Sequence, residues 1–309
     1  MKILLMGKNG QVGTELAQLL PRLGKLFGFD WQELELTKPD EIRRTIRNIR
    51  PQIIVNAAAY TAVDKAEEEE SFAYRINAEA PRVMAEESKN VGALLVHYST
   101  DYIFDGLKTS PYTEEDSPNP INAYGRTKLS GEQAIRASGV PHLIFRTAWL
   151  YATRGKNFLL TILRLATQRE ELRIVHDQFG APAWSRVIAW ATTKVLEQVM
   201  QQGSFKSALS RVGSTYHMTA AGVTNWYEFA LAILEEAALL PRGAPWFEAA
   251  TDGKPLIARR VIPISTPDYP TPARRPAYSV LSNSRLQRDF GIELPHWRVQ
   301  LRSAMTRNR

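Results

Sequence analysis

The sequence predicts an α/β protein: a Rossmann-like, doubly wound parallel sheet with a smaller C-terminal substrate-binding lobe. Three observations predict it. Short aliphatic and β-branched runs alternate with amphipathic segments through the first half of the 309-residue chain, the pattern of a parallel sheet covered by helices. The first run leads straight into a glycine-rich turn, Gly7-Lys8-Asn9-Gly10-Gln11-Val12-Gly13. Beyond Trp149 the alternation breaks down, and a second, less regular unit is expected there.

The elements follow in order. Residues 3–6 read as the first strand, and residues 10–20 as a helix stopped by Pro21, which cannot continue it. Residues 26–30 form a second strand that ends on the carboxylate of Asp30. A helix capped near Thr37 or Asp40 runs to about residue 49. Residues 52–56 are a buried strand, followed by three alanines where something approaches closely. Glu67-Glu68-Glu69-Glu70 reads as a solvated helix N-terminus. Residues 76–89 are helical, 93–99 a fourth strand, 105–120 a loop rich in Asp, Ser, Thr and Pro, 124–138 a helix and 142–147 a strand. Past Trp149 the pattern predicts a helix at 157–168, a strand at 172–176, a turn at 177–182 and a long helix at 187–201. A strand at 214–219 and a helix at 225–239 follow, the latter with Asn225 and Glu228 as a capping box. Residues 242–276 are rich in proline and show little periodicity. The resulting division gives residues 1–150 to a dinucleotide-binding domain, with 177–205 packing on it, and 151–176 and 206–309 to the second lobe.

Composition narrows the function classes. The chain has no cysteine, which excludes disulfides and thiolate metal sites and makes a reducing, cytoplasmic setting the expectation. No apolar run reaches the length of a membrane span or a signal-peptide core. The net charge of +7 is weighted toward arginines near the end of the chain and reads first as a solvated face and tail, and otherwise as attraction for an anionic small molecule. No nucleic-acid motif accompanies it.

The turn after the first strand is where a dinucleotide fold needs glycine. One glycine tightens the turn, one lets backbone approach a pyrophosphate, and one lets helix and strand pack. Gly7, Gly10 and Gly13 are assigned these duties, with the helix N-terminus meeting the phosphates. Asp30 suits the adenosine ribose hydroxyls and favours NADH, whereas Lys8 and Lys25 leave NADPH open.

The chemistry lies at Tyr124-Gly125-Arg126-Thr127-Lys128, which sets a phenol and an ammonium four residues apart on one helix face. A nearby ammonium favours the phenolate and makes Tyr124 a better proton donor near neutral pH. Thr100 ends the preceding strand at the ligand-binding edge of the sheet and can orient a substrate oxygen toward Tyr124. Reduction of a carbonyl by a nicotinamide hydride follows, with Tyr124 as acid and Lys128 expected to bias that phenol and to hydrogen-bond the nicotinamide ribose, so that both residues also count as cofactor-binding.

These motifs together resemble the extended short-chain dehydrogenase/reductase superfamily. Further stretches resemble its dTDP-4-dehydrorhamnose reductases: residues 56–67, 97–106, 124–132, 146–151, 177–182 and 269–276, among them Ser99-Thr100-Asp101-Tyr102 and Asp177-Gln178-Phe179-Gly180. The resemblance implies that Gly10, Gln11, Val12, Asp30, Glu35, Leu36, Ala59, Tyr60, Thr61 and Tyr98 contact NADH or NADPH. Thr100, Asp101 and Trp149 would contact a dTDP-linked 4-dehydrosugar, with Thr100, Tyr124 and Lys128 catalytic. Arg274 and Arg275 suit either the substrate diphosphate or a structural ion pair. The partner expected is a small sugar nucleotide, and the protein is expected to be a monomer or weak homodimer. Some members bridge a dimer through Mg²⁺; Glu15 matches one ligand, but Arg186 stands where a glutamate is often found, which disfavours the metal.

Two rival readings differ at identifiable places. A dehydratase or epimerase of the same superfamily needs an acid and a base beside Thr100, and Tyr102 replaces the glutamate of the dehydratases. A non-catalytic regulatory subunit can resemble these reductases, but a complete Thr100, Tyr124 and Lys128 set favours an enzyme.

Overall fold

The computed structural model describes residues 1–201, 213–239 and 244–306. Its centre is a six-stranded parallel sheet of β1 (Lys2–Met6), β2 (Lys25–Phe29), β3 (Ile53–Asn56), β4 (Leu94–Thr100), β5 (His142–Thr147) and β10 (Gly213–His217). The order across the sheet is β10-β5-β4-β3-β1-β2. The winding reverses between β1 and β3, and ligands of doubly wound sheets bind outside the strand ends at such a point.

Alternate strand residues supply the two faces. Ile3, Leu5, Val55, Val96, Leu143 and Phe145 join one apolar cluster, while Leu4, Met6, Ile54, Leu95 and Ile144 join another, as the two-residue period of a strand requires. On the first face lie α1 (Gln11–Leu19) and α7 (Ser185–Gln201), packed against each other. On the second lie α2 (Pro39–Ile49), α4 (Ala80–Val91) and α5 (Ala123–Ser138). Strands buried on both faces read as continuous aliphatic runs, which is why the sheet was plain in the sequence.

Two short ladders join β6 (Leu150–Tyr151) to β9 (Ala183–Trp184) and β8 (Phe179–Gly180) to β11 (Thr224–Asn225). The second lobe adds β7 (Glu171–Val175), paired in parallel with β12 (Arg260–Ile264), and the helices α6 (Phe158–Ala166), α8 (Trp226–Ala238) and α9 (Pro245–Thr251). Its apolar side chains, among them Phe229, Ile233 and Leu301, are continuous with the first-face core.

Several expectations are corrected. β10 is hydrogen-bonded to β5, so the sheet takes a strand that the sequence division gave to the second lobe. The proline-rich stretch contains α9, with Pro245 at its first turn, and β12, where Pro263 pairs at the edge of a two-stranded ladder and its missing N–H costs little. The acidic run is not merely solvated: Glu67 Oε1 accepts from the Ala123 N–H at 2.7 Å, and Glu70 pairs with Arg126 at 2.9 Å. Only half of the capping box forms, because Asn225 accepts from the Glu228 N–H at 2.8 Å while the Glu228 carboxylate binds Thr224.

Candidate active site

The C-terminal ends of β1, β3 and β4 open onto a cleft of about 1380 Å³. Every residue expected at the site lines it except Gly13. Gly7 turns the chain at φ +81°, and a Cβ there would sit 2.8 Å from the Ala58 nitrogen beyond β3. Only glycine fits that backbone and that approach. Gly13 lies beneath the turn, where a Cβ would fall 1.9 Å from the Gly7 carbonyl oxygen; it lets α1 pack and touches no ligand space. Gly10, Gln11 and Val12 bring the positive end of α1 to the cleft. The Gln11 Oε1 is buried without a partner. A cradle without side chains and an orphaned polar atom beside it fit a dinucleotide pyrophosphate.

Asp30 stands just past β2 rather than within it, and its Oδ1 accepts from the Trp31 N–H at 2.9 Å. Glu33 accepts from the Asp30 N–H at 3.0 Å and pairs with Lys8 at 2.6 Å. Glu35 and Leu36 complete this end, Glu35 held below the usual carboxylate range by Lys38. The Ala59–Thr61 stretch is clamped by Asn77, which accepts from the Tyr60 N–H at 2.9 Å and donates to the Tyr60 carbonyl at 3.1 Å. Asn77 sits in a π-helical turn, Arg75–Glu79, between α3 (Glu70–Tyr74) and α4, a distortion frequent at functional sites.

The acid pair rides on α5. Asn122 Oδ1 accepts from the Gly125 N–H at 2.8 Å and, with Glu67, satisfies the first donors of the helix. A Cβ at Gly125 would lie 2.1 Å from the Tyr102 carbonyl oxygen. That contact draws the helix start onto the turn after β4 and sets the Tyr124 ring edge-on to Tyr102, with centroids 5.6 Å apart.

Burial pushes the Tyr124 phenol up to about 12, the Thr100 hydroxyl acting in the opposite sense. Thr100 Oγ1 donates to Asp101 Oδ1 at 3.1 Å and accepts from the Tyr102 N–H at 3.1 Å. Asp101 is itself pushed up to about 6 by burial. The Lys128 head is buried and donates to the Tyr98 carbonyl at 2.7 Å, with His97 Nε2 at 3.2 Å. Burial draws Lys128 down to about 8. The expected lowering of the phenol by an adjacent ammonium is therefore absent from this arrangement. Lys128 is turned to β4, and Tyr124 holds its proton.

At the other end, Trp149 adopts φ +46°, a left-handed backbone rare outside glycine. Its indole stacks on Trp226 with centroids 3.4 Å apart and planes 4° from parallel. Both rings line the cleft. Gly180 makes room, since a Cβ there would approach the Trp149 ring to 2.4 Å. The sequence carried a signal for Trp226 only as the residue after a helix cap. Arg154, which lines the cleft, was missed outright, and Asn56 and His97 were given no role although they open two of the stretches that carry the resemblance.

Glu15 is buried and bound by Arg154 and by Arg186, the latter at 3.1 Å. Two guanidinium groups already supply the positive charge at that carboxylate, so the donor set does not fit Mg²⁺. Among the described residues no group of three or more His, Asp or Glu side chains could hold a metal ion. Arg275 pairs with Asp64 at 2.8 Å, which is the structural role of the two open for it.

A glycine-cradled cleft at the switch point, with a threonine, a proton-holding tyrosine and a buried lysine at its wall, defines a nicotinamide-dependent oxidoreductase of the short-chain dehydrogenase/reductase type. The UDP-glucose 4-epimerase of Thermus thermophilus, solved with NAD, shares the fold at a TM-score of 0.76 and 17% identity over 99% of this chain and 98% of that one. The family itself follows from closer likenesses. A model described as the RmlD substrate binding domain matches residues 1–309. The dTDP-4-dehydrorhamnose reductase of Burkholderia thailandensis is 50% identical, covering 96% of each chain, and that of Escherichia coli K12 is 44% identical, covering 97% of this chain and 95% of that one. The Bacillus anthracis enzyme of the same name, solved in complex with NADP, superposes with a TM-score of 0.84 at 33% identity over 98% of each chain. The chain belongs to the dTDP-4-dehydrorhamnose reductase family.

Proposed function

We propose that this protein reduces the C4 keto group of dTDP-4-dehydro-β-L-rhamnose to the alcohol of dTDP-L-rhamnose with NAD(P)H, completing dTDP-rhamnose synthesis. The observation that carries the reading is the Tyr124 phenol, pushed up by burial, set beside the Thr100 hydroxyl on the wall of the cleft that the glycine turn opens onto. When bound, the reduced nicotinamide supplies the hydride.

The chain's own residues do the rest. The Thr100 hydroxyl orients the C4 oxygen, and Tyr124 Oη delivers its proton to that oxygen as it becomes an alcohol. Gly7, Gly10, Gln11 and Val12 hold the pyrophosphate, and Asp30 the adenosine ribose. Lys8, paired with the exposed end of Glu33, can turn to a 2′-phosphate, which supports use of NADPH as well as NADH. The stacked Trp149 and Trp226 line the sugar-nucleotide end, and Asp101 offers its second oxygen there.

Dehydration is disfavoured at this edge. Tyr102 stands where a base is needed, and burial together with Asp101 pushes its phenol far up. The engagement of Glu15 by Arg154 and Arg186 supports a monomer or a loosely associated homodimer. Among the described residues no helix is long and apolar enough to cross a membrane, in keeping with action on a soluble nucleotide sugar in the cytoplasm. The test is cofactor oxidation, followed by absorbance, with purified protein, the 4-dehydro sugar nucleotide and either NADH or NADPH. Turnover that is abolished in Tyr124→Phe supports the reading. No oxidation with either cofactor overturns it.

A further inference from the structure

Glu15 lies one turn along α1 from Gln11, about 6 Å at the rise of an α-helix, and it is almost wholly buried. Two arginines meet there because of the short ladder between β6 and β9. Leu150 pairs with Ala183 and Tyr151 with Trp184 in parallel, so the chain leaves both strands at the same end. Arg154 follows the first strand and Arg186 the second. Each donates to one oxygen of Glu15, Arg154 to Oε1 and Arg186 to Oε2, the latter at 3.1 Å.

The two guanidinium groups are not equivalent. Arg154 lines the cleft and Arg186 does not. A single carboxylate balances only one of their two charges, so the surplus falls on the arginine that borders ligand space. Lys156, two residues on, adds an exposed ammonium to the same wall. Arg154 also has a donor to spare. Its Nη2 serves Glu15, whereas its Nε is buried with no acceptor among the described residues. A buried donor left unpaired is costly, and native proteins rarely leave one without a ligand or water to complete it.

The loop that carries Arg154 is fastened independently of Glu15. Asn157 caps α6 through the Leu160 N–H at 3.2 Å, and its amide donates to the carbonyls of Ala152 at 2.9 Å and Arg154 at 3.0 Å. The backbone behind the guanidinium is therefore set before any ligand arrives. The anionic group assigned to the start of α1 is the pyrophosphate, within a turn of Glu15. A guanidinium fork suits phosphate oxygens, and a lone Glu15 carboxylate at that distance would repel them.

We propose that Arg154 is a cofactor-binding residue that donates from the second lobe to the pyrophosphate of the dinucleotide. The cofactor is then gripped by both lobes. The proposal rests on the dinucleotide part of the reductase reading and not on the identity of the sugar.

Calorimetric titration of the full chain tests it without turnover. The probes are NADPH, ADP-ribose, which keeps the pyrophosphate and lacks nicotinamide, and dTDP, which carries the diphosphate of the sugar nucleotide. Arg154→Gln leaves Glu15 paired with Arg186. It is expected to raise Kd for NADPH and ADP-ribose about tenfold, the scale of one lost charge-assisted hydrogen bond, with dTDP within about twofold of the parent. Arg154→Lys keeps the charge and loses the fork; it should fall between the two, and it carries the test if the neutral variant fails to fold. Glu15→Gln removes the ion pair and keeps the cation, so NADPH should bind at least as tightly as to the parent. Unchanged NADPH affinity in Arg154→Gln, or a loss confined to dTDP, overturns the proposal. So does an equal loss in Glu15→Gln, which would make the pair a prop for α1 and nothing more. Because every readout is binding, a failure to reduce the sugar nucleotide would fault the reductase reading alone.

Discussion

Replacing Gly180 by alanine is the sharpest probe of the aromatic wall. The added Cβ would lie 2.4 Å from Trp149 Cε2 and 2.7 Å from Cζ2 and Nε1. Ordinary contact begins near 3.4 Å, so ring and backbone must separate by about 1 Å. The ring is already stacked 3.4 Å from Trp226, and it hangs from a left-handed backbone that itself stores about 1–3 kcal/mol. Overpacking of this kind costs about 1–3 kcal/mol, and disturbing the stack forfeits about 0.5–1.5 kcal/mol more. Thermal unfolding should register the loss as a drop of several degrees, since about 1 kcal/mol moves a domain of this size by about 2–4 °C. Steady-state kinetics should show KM for the sugar nucleotide raised about tenfold, equivalent to about 1.4 kcal/mol, with NADPH affinity nearly unchanged. A normal sugar-nucleotide KM in a destabilised variant would refute the claim that the Trp149 stack faces substrate. An equal loss of cofactor binding would refute the division of the cleft.

Three other outcomes follow from the geometry. Lys8→Ala should raise KM for NADPH about fivefold relative to that for NADH, the expected effect of one partly exposed cation on a phosphate; equal changes for both cofactors would remove Lys8 from 2′-phosphate recognition. Burial raises Asp101 from 3.8 to about 6, so the folded protein binds that proton more tightly than the unfolded chain. Its contribution to stability is present at low pH and is lost as pH rises through about 4 to 6; Asp101→Asn should flatten the melting temperature across that window, and an unaltered slope would assign it to other groups. Exhaustive EDTA treatment should leave turnover and the sedimentation coefficient unchanged, because Arg154 and Arg186 occupy Glu15; a loss restored by Mg²⁺ would contradict that.

The legible parts of the fold were those governed by local pattern. The aliphatic runs of β1, β3, β4 and β5 read as strands because both faces of the sheet are covered, and the glycines read as a phosphate turn because little else tolerates the approach of Gly7 to Ala58. β12 and α9 were not legible. Pro263 and Pro245 look like breaks in a sequence, and only the neighbouring strand β7 makes an edge position acceptable for the first. The site divided in the same way. Tyr124 and Lys128 were legible by their four-residue spacing and Thr100 as the end of a strand, and all three line the cleft, yet the direction of the Lys128 head was decided by Tyr98 and His97, on a strand that helical spacing does not report on. Trp226 and Arg154 reach the cleft from segments 77 and 5 residues after Trp149, connected to it by tertiary packing rather than by any local motif. Glu15 matched a metal ligand in sequence and met two arginines in space.

The most direct test of the central claim follows the hydride itself. Cofactor deuterated at the transferable C4 position, incubated with the purified protein and dTDP-4-dehydro-L-rhamnose, should yield dTDP-L-rhamnose with one deuterium at sugar C4 for each cofactor oxidised, and Tyr124→Phe should lose most of the rate while still binding cofactor. Oxidation of cofactor with no label at C4, or a Tyr124→Phe variant as fast as the parent, would contradict it.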